Sequence, residues 1–120
     1  MTNSVTRNLS ILGNVPQTIA SANYTLVATD AGGHIYHPSA DTTTRTWTIP
    51  DNSSVPFPIG TVVNFINDTS AGVITLQMIT DILVVAGLGT ATFKNLNATG
   101  FASIVKITQT RWLLSGAGLA

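Results

Sequence analysis

Cysteine is missing from this chain altogether, which excludes disulfides, thiolate zinc sites and a cysteine nucleophile while leaving the redox compartment open. Glutamate is missing too. The only acids are Asp30, Asp41, Asp51, Asp68 and Asp81, balanced by Arg7, Arg45, Lys94, Lys106 and Arg111. Charged residues make up 8% of the 120 positions, where ordinary soluble domains carry ~25%. A net charge of zero does little to hold molecules apart in solution. Such a surface suits a chain packed into an assembly.

Other absences narrow the partners. There is no basic cluster to neutralise a phosphate backbone, so nucleic acid is not expected as a partner. No stretch reaches the ~18 consecutive apolar residues of a membrane span, and the longest, "ILVVAGLG" (82–89), is interrupted by glycine. No membrane is expected as a partner either. The start of the chain, "MTNSVTRNLSILGNVPQ", has one arginine and no long apolar core, unlike a secretory leader. The chain therefore reads as made in the cytoplasm of its producer.

What is present is a period of two almost everywhere, the signature of strands. "YTLVA" (24–28), "DAGG" (30–33) and "HIYH" (34–37) read as strand, turn and returning strand. "RTWTI" (45–49) places Trp47 and Ile49 inward and Thr46 and Thr48 outward. "TVVNFIN" (61–67) and "GVITLQM" (72–78) flank "DTSA", which reads as a four-residue hairpin loop. Ile74, Leu76 and Met78 share a face. "DILVVAG" (81–87) and "TATFKNL" (90–96) read as two shorter strands. After the turn "NATG", "FASIVKIT" sets Phe101, Val105 and Ile107 on one side, and "RWLLSG" closes the core with Trp112 and Leu114. About nine short strands punctuated by turns predict an all-β, antiparallel β-sandwich, jelly-roll-like or β-tulip-like domain.

Residues 24–120 form that single domain, and 1–23 read as an extended N-terminal arm. An edge strand followed by a loop reads equally well there. As an arm it would grip a neighbour through Ile11, Leu12, Val15 and Pro16. Three of the five prolines, Pro50, Pro56 and Pro58, fall between "RTWTI" and "IGTVVNFIN". Proline cannot occupy a central strand and drives the residue before it into extended geometry. The segment predicts a stiff connector that carries the chain from one sheet to another and packs Phe57 into the core.

The residues "RTWTIP-NSSV-FPIGTVV-FIN", then "AGVITL" and "A-IVKIT-TRWLLSG-GL", resemble a recurring module of tailed-bacteriophage proteins over roughly residues 24 to 119. It occurs as small virion proteins and at the ends of tail-fibre chains. The resemblance implies a capsid decoration, or cement, protein. This would be a homo-oligomer, a trimer by that likeness, seated on the major capsid protein outside an assembled head. The runner-up is a tail-fibre or head-fibre module that binds host-surface glycans. The resemblance carries no catalytic residue, cofactor or metal ligand, and enzymatic activity ranks below both readings.

The chemistry that the residues offer is sparse. His34 and His37 lie near Asp30 and Asp41, but strand alternation points them to opposite faces, and two partly exposed strand histidines are the expectation. Serines and aspartates are plentiful without a "GxSxG" elbow. "GLGTAT" lacks the lysine and helix of a phosphate loop. Trp47 and Trp112 fall on inward phases. Tyr36, with Tyr24 beside it in interest, is the candidate surface aromatic.

Overall fold

The computed structural model describes residues 14–120. The domain is all-β, with one short 3-10 turn at Ala28–Asp30 as the only helical geometry among the described residues. Its strands are β1 (Gln17–Ile19), β2 (Tyr24–Thr25), β3 (His34–His37), β4 (Arg45–Ile49) and β5 (Val62–Asn67). They continue as β6 (Ile74–Met78), β7 (Ile82–Val85), β8 (Gly89–Ala91), β9 (Phe93–Thr108) and β10 (Arg111–Leu119).

All ten belong to one mixed sheet that forks. The first branch runs β1-β3-β5-β9-β10-β7-β8, and the second runs β2-β4-β6 and joins the other half of β9. Successive strands from β1 to β7 alternate between the branches. Four parallel pairs therefore join strands two places apart in the chain: β1 with β3, β3 with β5, β2 with β4, and β4 with β6. The expectation of antiparallel neighbours is corrected accordingly. Five pairings are parallel and four antiparallel. Parallel neighbours need a crossover, and here a strand of the opposite branch supplies it. The expected hairpins at 30–33 and 68–71 are instead passages between branches, because β3 and β5 pair with each other. Hairpins do form between β7 and β8 and between β9 and β10.

The β9–β10 ribbon is the shared element. Residues 93–96 of β9 pair with β6, and residues 100–105 pair with β5 on the same side. Between them the "NATG" turn survives as a kink inside a continuous strand, with Thr99 at φ 62°. Gly100 and Gly116 stand where a Cβ would collide with the Asn97 and Phe101 carbonyls. Glycine at such points permits the close backbone approach of a strand that changes sheets.

The branches face each other across the core. Trp47 of β4 meets Phe65 of β5 with ring centroids 6.0 Å apart. Ile35, Val63, Leu76, Ile104, Trp112 and Leu114 fill the rest of the layer and are wholly or almost wholly buried. The connector behaves as its prolines imply. It leaves the second branch at Ile49 and enters the first at Val62, with Phe57 buried edge-on against Trp112 at 5.6 Å. Its fastening is polar. Asp51 accepts the Thr80 and Asp81 N–H groups at 2.9 Å each, and Asp81 accepts the Asn52 N–H at 2.8 Å. The buried Lys106 ammonium donates to Asn52 Oδ1 at 2.6 Å and to the Phe57 carbonyl at 2.8 Å, beside the Trp112 ring.

No carboxylate lies within ion-pair distance of that ammonium among the described residues. Its stabilising role is to satisfy two carbonyl acceptors, and leaving buried acceptors unpaired costs about 1–3 kcal/mol. Lys106→Met, which keeps the stem and removes the donors, is expected to lower unfolding free energy by that amount in urea titrations. An unchanged midpoint would show that the Lys106 contacts add nothing to the hold of Phe57, Asp51 and Asp81 on the connector. Gly116→Ala, which crowds Ala102 and the Phe101 carbonyl, is expected to cost about 1–3 kcal/mol by overpacking in the same assay.

Candidate functional site

Strand alternation gives each branch an outer face, and the two faces differ in chemistry. On the first branch, register aligns three rows across the strands. Ile19, Tyr36, Ile66, Phe101 and Ala117 form one row. Gln17, His34, Asn64, Ser103 and Ser115 form the next. Val62, Val105, Leu113, Val84 and Thr90 form the third. The pattern is apolar, polar, apolar. Ile19 is 65% exposed and Phe101 52% exposed, while Gln17 bonds to His34 at 3.0 Å and Ser103 donates to Asn64 along the middle row.

The second branch presents threonines and amides. Thr25, Thr48, Gln77 and Phe93 align, as do Thr46, Thr75 and Asn95. Thr75 donates to Asn95 at 3.0 Å. Phe93 is the exception, half exposed at the rim of a shallow cavity of about 300 Å³ that Thr75, Gln77, Met78 and Thr92 complete.

Polar clusters close the core at both ends of β3 and β5. At the C-terminal end, His37 is fully buried, a correction to the expectation of two partly exposed histidines; His34 alone is half exposed on the outer face. His37 Nδ1 meets Asn67 Oδ1 at 2.8 Å, and Nε2 meets Asp41 Oδ2 at 2.7 Å. Asn67 donates its amide to the Gly72 and Leu96 carbonyls at 2.9 Å each, which fixes its oxygen toward the ring. Both ring nitrogens therefore face acceptors and neither is open to a substrate. Arg45 adds a two-point contact to Asp41, at 2.9 and 3.2 Å. Hydrogen bonds from Arg45 first, then from His37, hold the Asp41 carboxyl well below its ordinary range. At the other end, the buried Asp30 accepts from Tyr24 at 2.7 Å, from the Val27 N–H at 2.8 Å and from Thr18 at 3.3 Å. Burial, then the bond to Asp30, pushes the Tyr24 hydroxyl up to about 12.

The residues singled out from sequence scatter over the molecule. Tyr36 is half buried in the first apolar row and donates its hydroxyl to Asp68. That bond, then burial, raises its own titration. Val15 and Pro16 are exposed just before β1, an edge strand on β3, and the Pro16 carbonyl accepts the His34 N–H at 2.8 Å. Ile11 and Leu12 lie outside the described residues. Phe93, Phe101 and Ile66 were not singled out. For Phe101 the signal was available in "FASIVKIT", whose outward set of Phe101, Ser103, Val105 and Ile107 is no less apolar than the buried Ala102, Ile104 and Lys106; Phe93 and Ile66 lie in other segments.

The exposed faces of the described residues offer aliphatic, aromatic, hydroxyl and amide groups. Among these residues no group of three metal-ligating side chains occurs and no helix is long and apolar enough to cross a membrane. The class defined is an all-β domain of one mixed ten-stranded sheet with two contrasting outer faces. Compared with family models, curated proteins and solved structures, the chain matches none.

The depressed carboxyl of Asp41 gives a pH signature. A carboxyl whose folded pKa lies below its unfolded value of ~3.9 stabilises the fold above that value, and the contribution is lost as pH falls through the folded pKa. Thermal unfolding followed from pH 6 to pH 2 is expected to show a falling midpoint. Asp41→Asn should begin lower at pH 6 and fall less steeply, with Asp51 and Asp68, also depressed, supplying the remaining slope. Parallel curves for the two proteins would remove Asp41 from this role.

Proposed function

We propose that the chain is a structural protein of a tailed-bacteriophage virion, seated as a homotrimer on the outside of the assembled head. In this reading it decorates the major capsid protein and is made in the host bacterial cytoplasm. The observation that carries the assembly part is the outer face of the first branch. Two apolar rows lie open there in a chain with 8% charged residues, and contiguous exposed apolar surface of this kind marks protein contact. The head as destination rests on the phage-like residues at 45–67 and 102–119. The two branches facing each other across the core serve in this reading as a sandwich-like clamp. Three linked copies spanning subunit junctions would raise effective affinity steeply through multivalency and oppose the outward pressure of packed DNA.

The segment of Ile11, Leu12, Val15 and Pro16 grips the shell or a neighbouring protomer in this proposal. Removing residues 2–13 leaves every described strand and core contact in place. The truncated protein is expected to unfold at the same temperature and to bind purified heads at least about tenfold more weakly, the equivalent of ~1.4 kcal/mol. Undiminished binding would sink the role of this segment. The destination itself is tested by gold-labelled antibody on particles of the parent virus. Even labelling of the head is expected, and gold confined to tail tip or fibres would overturn the head reading.

A second reading has one observation of its own. Phe93 stands half exposed beside Gln77 and Thr75, an aromatic face among amide and hydroxyl groups that suits a sugar ring. For a glycan-binding fibre module, Phe93→Ala would abolish adsorption of the pure protein to host cells with its melting temperature unchanged. The decoration reading expects no adsorption by either protein.

A further inference from the structure

We propose that the outer face of the first branch is the surface through which copies of this chain meet, the row containing Phe101 on one copy packing against the Val62–Val105 row of the next. The inference deepens the oligomer part of the reading above and rests on it. It does not depend on where in a virion the oligomer sits.

Several observations select a second copy as the occupant. The three rows carry no lysine, arginine or aspartate, and His34 is their only titratable group besides Tyr36. A charged partner would lose the hydration of its ions there with no counter-charge to offset the loss. The stripes are also complementary to themselves. Placing the Phe101 row of one copy over the valine row of another brings the two middle rows together. Asn64, Ser103 and Ser115 can then exchange hydrogen bonds across the contact, as Ser103 and Asn64 already do within one chain. An unrelated protein would need the same apolar–polar–apolar spacing.

The area of the face is of the order such a contact needs. Each row takes one residue from each of five strands, about 24 Å at ~4.8 Å per strand, and three rows ~6.7 Å apart cover about 20 Å. The flat projection is therefore about 480 Å² per copy, before side-chain relief is added, against the ~800 Å² per partner of a stable interface. The composition of β9 points the same way. It turns Phe101, Val105 and Ile107 outward and spends a buried position on Lys106, a choice that exposes apolar area unless something covers it. The opposite outer face, rich in threonine and bearing Phe93, is left on the outside of the oligomer.

The test is sedimentation velocity on the full chain at micromolar concentrations, comparing wild type, Phe101→Asp and Phe93→Asp. Both phenylalanines are about half exposed on the same strand, one on each outer face. Wild type is expected to sediment as an oligomer, at a whole-number multiple of the 12.5 kDa chain. Phe101→Asp is expected to sediment as a single chain, its dissociation constant raised about thirtyfold or more as for a buried aromatic anchor. Phe93→Asp should retain the wild-type mass. A single-chain wild type overturns the proposal, as does a Phe101→Asp protein that keeps its assembly. Should Phe101→Asp lose its cooperative melt, Ile19→Asp on the edge strand β1 carries the same comparison. Gold labelling separates the outcomes: a monomeric protein found on heads sinks this interface alone, and an oligomer absent from heads sinks only the destination.

Discussion

The fold depends on one ribbon. The sixteen residues of β9, backed by β10 from Leu96 to Thr108, offer hydrogen-bonding edges to two different strands in succession. Every other strand is attached to this ribbon directly or through intervening strands. A strand of this length extends about 50 Å at ~3.3 Å per residue, in line with the 47 Å long axis of the molecule. The kink at 97–100, where Gly100 and Gly116 let the backbones close up, aims the two halves at different branches. The alternate winding of β1 to β7 then follows, since each passage between branches places the next strand on the opposite side of a shared core.

A chain with so few charges still has to pair its buried polar groups, and apart from the Trp47 and Trp112 indole N–H groups it does so with compact clusters. Asp41 gathers His37 and Arg45, while Asp30 gathers Tyr24, Thr18 and a backbone N–H. Asp51 fixes the connector to the start of β7, and Lys106 fixes it to the ribbon. Four of the five aspartates thus organise loops or core ends through Asp81 as well, and Asp68 receives Tyr36. The acids of this chain are structural fastenings. The outer faces are left without acids in their aligned rows, one carrying apolar rows and the other threonines, amides and Phe93.

The fold and the candidate faces were legible to different degrees. Alternation located the strands and the inward set of Trp47, Ile49, Ile74, Leu76, Met78, Trp112 and Leu114, because side-chain direction in a strand is a local property. The prolines located the crossing between branches for the same reason. Pairing was not legible. "DAGG" and "DTSA" have the composition of hairpin turns, and only the position of a third strand decides that the chain passes to the other branch there. The outer apolar rows were half legible: "FASIVKIT" is apolar on both phases, yet each row takes one residue from each of five strands and exists only once register is fixed.

The sequence by itself determined an all-β domain, its strand positions, its lack of thiol chemistry and its charge-poor surface, since these follow from residue type and a period of two. Tertiary structure alone decided the rest. Parallel pairing, the burial of His37 and Lys106, and the alignment of Ile19, Tyr36, Ile66 and Phe101 all depend on which distant strands meet. The physical reason is that alternation fixes the face on which a side chain lies, whereas hydrogen bonding between strands remote in sequence fixes its neighbours and whether that face is covered.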